Sequence, residues 1–412
     1  MMNSKHVRKT SCLIAIATIA VVCLCLSGPV YAAWLGTWAK RIEITISNSN
    51  IDSDLTHFPL LLVLGTSVGT GNADVSCVFD ELTLDANRKK IAVTKSDGIT
   101  EIYCEIEKWD DANEQAWLWV SKSDLVLDSA APTTLYLYYD SSKAENTTYV
   151  GDINDTPSES VWDSSFDFVC HMADDAGGDL DDSTSNSFDC TKVASGEPVE
   201  TTSGKIGNAQ YYDASNDYII SGLNIDVLRN ASGATLEAWV NADAIPSAAT
   251  IKAIAVATDL GNERASIAFL TTNECRAGGR AGDAEAWQSR YTNDNSVTAT
   301  TWYLLVGWFD YPNDNMDLYL NAVERTSTAG TQSFTAAATS DTQSDKFYIG
   351  ADTASGSLWD GYIDEVRISS TIRSVAWMKA NYYSTIDGLV SWGSEETNQA
   401  ADAGQVIIMN II

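Results

Sequence analysis

The stretch RIEITIS, residues 41–47, puts Ile42, Ile44 and Ile46 on one side of an extended chain and Arg41, Glu43 and Thr45 on the other. This two-residue alternation recurs along the chain, broken by turns rich in Gly, Asn, Asp and Ser, and it predicts half-buried β-strands rather than helices. In EIYCEIEKW the residues Ile102, Cys104 and Ile106 share a face and the glutamates point away from it. AWLWVS and TTLYLYYD are aromatic-rich strands of the same kind, and HFPLLLVL is apolar throughout, as for a strand covered on both sides.

Three segments fall outside this pattern. The first 32 residues combine Lys5, Arg8 and Lys9 with an apolar run from Cys12 to Leu26 and small residues near Ala32, the layout of a secretory signal peptide. Residues 151–160, within a longer polar stretch, are poor in apolar side chains and rich in turn formers, and are expected to be a linker. Residues 396–412 look like a loose tail. The blocks left over, 34–150 and 161–395, give an all-β fold of two domains, an N-terminal β-sandwich followed by a jelly roll. One helix is expected after the last strand, capped by Ser374, with Val375, Met378 and Tyr382 recurring along SVAWMKANYYS.

Charge narrows the partners. The chain has 56 acidic against 25 basic residues, a net charge of −31, and the leader removes only basic ones. Such a surface repels nucleic acid and anionic lipid, so neither is an expected partner. No later apolar run is long enough to anchor the chain across a membrane. In an exported protein the cysteines outside the leader can oxidise. Cys77 and Cys104 lie on neighbouring predicted strands and Cys170 and Cys190 flank one loop, so two bridges are expected, Cys275 being left over; the alternative is five buried thiols. His57 and His171 are the only histidines beyond the leader, which excludes a histidine-rich metal centre.

By motif, SGKIGNAQYYDASNDYI (203–219), ATLEAWVNA, DKFYIGAD and GYIDEVRISSTIRSVAWMKANYYS, in that order, resemble the bacterial laminin-G-like, concanavalin A-like domains. WDSSFDFVCHM with DDSTSNSFDC resembles the first strand and loop of that family. The likeness covers about residues 160–395. DLTHFPLLLVL, NADVSCVFDE, EIYCEIEKWDDANEQAWLWV and TTLYLYYDSSKAENTTYVGD are similar to an uncharacterised domain found ahead of such modules in exported bacterial proteins. The resemblance implies a two-sheet jelly roll that binds glycans or proteins, often beside a structural calcium; a minority of the wider superfamily hydrolyse glycans.

GYIDEVRISS tests the enzymatic possibility. Retaining glycosidases of this fold carry Glu-x-Asp-x-x-Glu on one strand, so that alternate carboxylates flank one sugar bond. This chain has no Glu-x-Asp, and Asp364 and Glu365 are consecutive, which on a regular strand sends them to opposite faces. No catalytic residue is assigned. Tyr362, Asp364, Val366 and Ile368 then share the buried face, and Asp364 is either a calcium ligand, with Asp213 as its candidate partner, or a group bonding the amides of a nearby turn. Glu365 and Arg367 would be a solvated pair of little energetic weight. Asp182, Ser183 and Asn186 are expected to shape the loop after the first strand of the second block. Trp287, Tyr291 and Trp359 are the aromatic candidates for stacking on a sugar, against core packing.

The sequence therefore predicts a secreted or cell-surface protein, virion-associated in one version, that recognises a surface glycan or an extracellular protein without catalysis. The competing readings are a structural component of a surface or phage assembly and an atypical glycan hydrolase.

Overall fold

A computed structural model describes residues 32–399 except 194–197, 223–224, 226, 248, 259–262, 283–284, 293–294, 326–338, 340–344 and 353–355. The expected leader, apart from Ala32, and the tail from residue 400 onward lie outside the described residues.

The described chain is mostly β, with three large sheets. The first holds β1 (Lys40–Ile46), β3 (Leu60–Leu64), β4 (Ile91–Lys95), β5 (Glu101–Asp110), β6 (Gln115–Ser121) and β8 (Thr133–Tyr139). Short β9 (Val150–Asp152) adds parallel to β5, and β2 (Leu55–Thr56) pairs separately with β7 (Val126–Leu127). The order is β25-β1-β8-β4-β5-β6-β3, where β25 (Val390–Thr397) comes from the far end of the chain. The structure thus differs from the sequence-based boundary at 395, because the last strand returns to the first sheet and pairs with β1.

The second sheet runs β12-β13-β24-β15-β20-β21-β22, with β10 also on β24. Its strands are β10 (Phe166–Cys170), β12 (Val199–Thr201), β13 (Ala209–Asp213), β15 (Gly233–Ala242), β20 (Tyr303–Asp310), β21 (Asn315–Leu320), β22 (Val323–Glu324) and β24 (Asp360–Ser369). The third runs β11-β14-β23-β16-β17-β18-β19. It comprises β11 (Cys190–Lys192), β14 (Ile219–Ser221), β16 (Ile251–Thr258), β17 (Glu263–Phe269), β18 (Cys275–Gly279), β19 (Gln288–Tyr291) and β23 (Asp345–Ile349). Phe168, Leu236, Val240, Ile267, Leu305, Phe309, Phe347 and Ile368 fill the space between the second and third sheets, the packed core of a two-sheet jelly roll.

The other side of the second sheet does not face water. A continuous apolar cluster joins the first sheet's Leu61, Trp119 and Ile106 to Trp162, Phe166, Val169, Trp377 and Ala380. The helix α3 (Val375–Thr385) lies in this seam, and Ser374 caps it by accepting the Trp377 N–H at 3.1 Å. Met378 and Tyr382 pack against Trp239, whereas Val375, expected on the same stripe, is exposed. Two shorter α-helices, α1 (Cys77–Leu82) and α2 (Thr156–Glu159), and three single-turn 3-10 helices complete the described secondary structure. Asp182 organises the loop after β10 as expected, accepting the N–H groups of Val169, Thr184 and Phe188.

The expected disulfides do not form. Cys77, Cys104, Cys170 and Cys190 are free thiols. Cys77 opens α1 rather than sitting on a strand, and its Sγ lies 3.4 Å from the Tyr139 hydroxyl. Cys104 is sealed in the first core; Cys170 and Cys190 share the jelly-roll core as small apolar side chains, and burial raises their thiol pKa values well above the ordinary value.

Candidate functional site: a buried carboxylate cluster at the seam

The glutamates of EIYCEIEKW point away from Ile102 and Cys104, but the face they occupy is covered by the jelly roll. Glu105 is 0 % exposed, and the side chain of Glu107 is 1 % exposed. Neighbouring β6 brings Trp119 to the same face, and its Nε1–H donates to Glu107 Oε2 at 2.8 Å. Trp162 donates likewise to Glu105 Oε2 at 2.7 Å.

From the other side comes β24, with an irregularity that strand parity could not anticipate. Arg367 pairs with Glu237 and Asp364 with Trp239, so two residues of β24 oppose Ala238 alone. Glu365 takes up the extra residue in a left-handed conformation, φ 50°. This is a β-bulge, and it resets the alternation. Val366 and Ile368 enter the jelly-roll core as expected, but Asp364, Glu365 and Arg367 all turn to the seam. The expected solvated pair is therefore a buried one: Glu365 and Arg367 are each 2 % exposed.

His171, which follows β10, joins the two sides. Its Nδ1 lies 2.6 Å from Glu365 Oε1 and 3.5 Å from Glu107 Oε2, and its Nε2 lies 3.3 Å from Glu105 Oε2. The ring stacks on Trp119, centroids 5.8 Å apart. Arg367 bonds Glu365, Glu237 and the Asn381 amide oxygen, with its guanidinium 4.5 Å from the Trp119 ring. Gly207, φ 47°, closes the cluster from above; a Cβ there would overlap Glu107 Oε1.

The electrostatics follow from burial and crowding. Burial, then the charge of Glu365, pushes Glu107 up to about 8. Burial alone would neutralise His171, but the charges of Glu365, Glu105 and Glu107 outweigh it and hold the imidazolium well above its ordinary pKa. Burial likewise works against the Glu365 carboxylate, and His171 and Arg367 reverse this, leaving its pKa below the usual range. Asp364 is pushed well up by burial and then by Glu365 and Glu107.

Glu107 and His171 also line an open cavity of about 260 Å³, walled by Asp85, Arg88, Lys108, Trp109, Asp152, Asp174, Asp175 and Asp181. Asp364 and Glu365 do not reach it.

The residues singled out in the sequence fall elsewhere. Asp364 accepts the Ile206 N–H at 2.9 Å and the Glu365 N–H at 2.8 Å. Asp213 is exposed at the end of β13 opposite Asp360, four residues and about 13 Å of strand from Asp364. The two do not share a calcium site. Trp359 is 0 % exposed and packs on Phe269 in the core, so it offers no face to a ligand. Trp287 and Tyr291 both neighbour Arg276 of β18: Tyr291 is its register partner, and its guanidinium stands 5.8 Å from the Trp287 ring. The Trp287 ring lies across Gly278, where any Cβ would strike it. As site residues, Glu105, Glu107 and Glu237 were not singled out by the sequence. The available signals were the Glu-x-Glu spacing at 105 and 107, which places both carboxylates on one face, and the scarcity of histidine, which made His171 conspicuous.

Comparison with known proteins covers part of the chain. Two similar solved structures are the botulinum neurotoxin serotype D ligand-binding domain in complex with N-acetylneuraminic acid and the botulinum neurotoxin type G receptor-binding domain. The first is 13% identical with TM-score 0.39, over 53% of this chain and 50% of that one. The second is 12% identical with TM-score 0.38, over 53% and 51%. This chain thus spans about half the length of those structures, and a likeness at that level says nothing of site or ligand. No curated protein matches. Residues 213–378, by contrast, match the family model described as the concanavalin A-like lectin/glucanases superfamily, and they lie within the two-sheet jelly roll.

Proposed function

We propose that this is a non-catalytic, exported recognition protein whose concanavalin A-like domain binds a surface glycan or an extracellular protein. The superfamily's description names both lectins and glucanases. The disposition of the adjacent acids favours the former, and it is the observation that carries the reading. Asp364 is occupied by two backbone N–H groups, and Glu365 by His171 and Arg367. Neither opens onto the cavity beside the cluster, and a glycosidase needs both its carboxyl groups against one sugar bond.

The surface best suited to a glycan is the Trp287–Arg276–Tyr291 patch. It sets a half-buried indole beside a half-buried guanidinium, a combination that can stack on a sugar ring and bond its hydroxyl or carboxylate groups. A glycan array probed with the protein and with Trp287→Ala tests this. Binding by the former and at least a tenfold loss in the latter is expected. No glycan bound, or reducing sugar released from any polysaccharide on a panel, overturns the reading.

A further inference from the structure

We propose that Glu107, His171 and Glu365, with Glu105 behind the imidazole, form a binding site for one divalent first-row transition-metal ion such as Zn²⁺ or Mn²⁺. The site ties the first sheet to the jelly roll.

Geometry carries the proposal. One ligand atom from each of the three residues lies within 4.8 Å of the others, and all three residues are buried. They come from β5, from the residue after β10 and from β24, so the site exists only because the two halves of the chain meet. An ion bound at 2.0–2.2 Å in tetrahedral geometry holds its ligand atoms about 3.4 Å apart. His171 Nδ1 already stands 3.5 Å from Glu107 Oε2 and 2.6 Å from Glu365 Oε1, so a shift of under about 1 Å admits the ion.

A second observation points the same way. Glu105 and Glu107 each keep one carboxylate oxygen, Oε1, that is buried and accepts no hydrogen bond. The buried set holds the carboxyl groups of Glu105, Glu107, Glu237, Asp364 and Glu365 against the guanidinium of Arg367, the imidazole of His171 and the charge of Arg373 acting on Glu237, with Lys205 at its margin beside Asp364. A buried oxygen left bare is costly in a protein interior, and a dication held between Glu107, His171 and Glu365 offers the one on Glu107 a partner. The surroundings are those of a supported metal site: the indole N–H groups of Trp119 and Trp162 and the Arg367 guanidinium hold the carboxylates in place. Access exists as well, since Glu107 and His171 line the acid-walled cavity, which concentrates cations at its mouth. The ligand set selects the metal class. An imidazole with carboxylates suits zinc or manganese, whereas calcium takes oxygen ligands throughout.

The test uses the full mature chain, dialysed against chelator and titrated separately with ZnCl₂, MnCl₂ and CaCl₂ by calorimetry and by thermal unfolding. One Zn²⁺ or Mn²⁺ per chain is expected, with a raised Tm, and at least a hundredfold weaker binding in Glu107→Gln, which keeps the shape and removes a ligand charge. Absence of zinc and manganese binding, or equal binding by Glu107→Gln, overturns the site. Should Glu107→Gln not fold, ¹⁵N-histidine NMR of the unaltered chain decides. Zinc moves the ring nitrogens of His171 and leaves those of His57, which bonds the Ser160 carbonyl outside the carboxylate cluster, in place; if saturating zinc moves neither ring, the proposal fails.

Discussion

Replacing Arg373 with Met should loosen the seam in a way that depends on pH. Arg373 lies between β24 and α3 and is 6 % exposed. It grips Asp163 with both terminal nitrogens, at 2.6 and 3.0 Å, and bonds Ser369 through Nε. Its guanidinium lies 4.0 Å from the Phe166 ring and 4.4 Å from Trp377, which in turn packs on Phe58 of the first half. Met keeps the length of the side chain and much of its apolar contact, so the change isolates the charge. What remains is an Asp163 carboxylate, 16 % exposed, with the Ser165 N–H as its remaining strong partner. Stranding one partner of a buried ion pair costs ~3–5 kcal/mol. The residual exposure of Asp163 puts this case at the lower end, about 3 kcal/mol, including the lost cation–π contacts. Burial pushes the Asp163 pKa up, but Arg373 outweighs it and holds the group below its ordinary value. The stabilisation it brings is therefore present above the unfolded pKa of about 4 and is lost as pH falls through the lower folded one. Denaturant unfolding at pH 7 and at pH 3 measures both quantities. The variant should lose about 3 kcal/mol at pH 7 and much less at pH 3. A loss below about 1 kcal/mol at pH 7, or the same loss at both pH values, would refute the reasoning.

Trp359→Ala should remove about 3–5 kcal/mol of stability by opening a cavity in the jelly-roll core, while leaving glycan binding by the folded fraction unchanged. Asp167 is pushed up to about 7 by burial, and its Oδ2 is buried without a partner. The native state thus holds a proton that the unfolded chain has released, and stability falls as pH rises from about 4 to 7. Asp167→Asn should cancel that fall, raising stability at pH 8 on the order of 2 kcal/mol and changing little at pH 4, as read by unfolding curves at the two values. A reducing agent should leave the Tm of the protein in place, and alkylation after unfolding without reduction should label every cysteine by mass; a thiol that resists labelling would mean a bridge has formed.

The features legible in the sequence are those set by local periodicity. The alternation in RIEITIS and EIYCEIEKW gave strands β1 and β5 with the right apolar faces, Ser374 capped a helix where expected, and Asp182 shaped its loop. The illegible features depend on what covers a face. Glu105 and Glu107 alternate with apolar residues as solvent-facing glutamates do, and nothing within β5 states that a jelly roll will close over them. Cys170 and Cys190 show the same limit, since proximity along a loop does not distinguish a bridge from two thiols filling a core.

The bulge at Glu365 shows why the site itself was the hardest part to read. Parity counting assigned Asp364 to the jelly-roll core and Glu365 with Arg367 to solvent, and a single left-handed residue reverses the first assignment while the covering first sheet reverses the second. A non-glycine residue in that conformation costs on the order of 1 kcal/mol, so the local sequence argues against it. It persists because, with the bulge in place, Glu365 reaches His171 and Arg367, and Asp364 reaches the Ile206 amide. Charge-assisted hydrogen bonds contribute roughly 1.5–3 kcal/mol each, enough for tertiary partners to outweigh the strain. Of those partners, His171 and Ile206 lie 194 and 158 residues away in the chain. The conformation that builds the cluster is therefore chosen by the assembled seam, and β24 read in isolation prefers the regular strand that would have dismantled it.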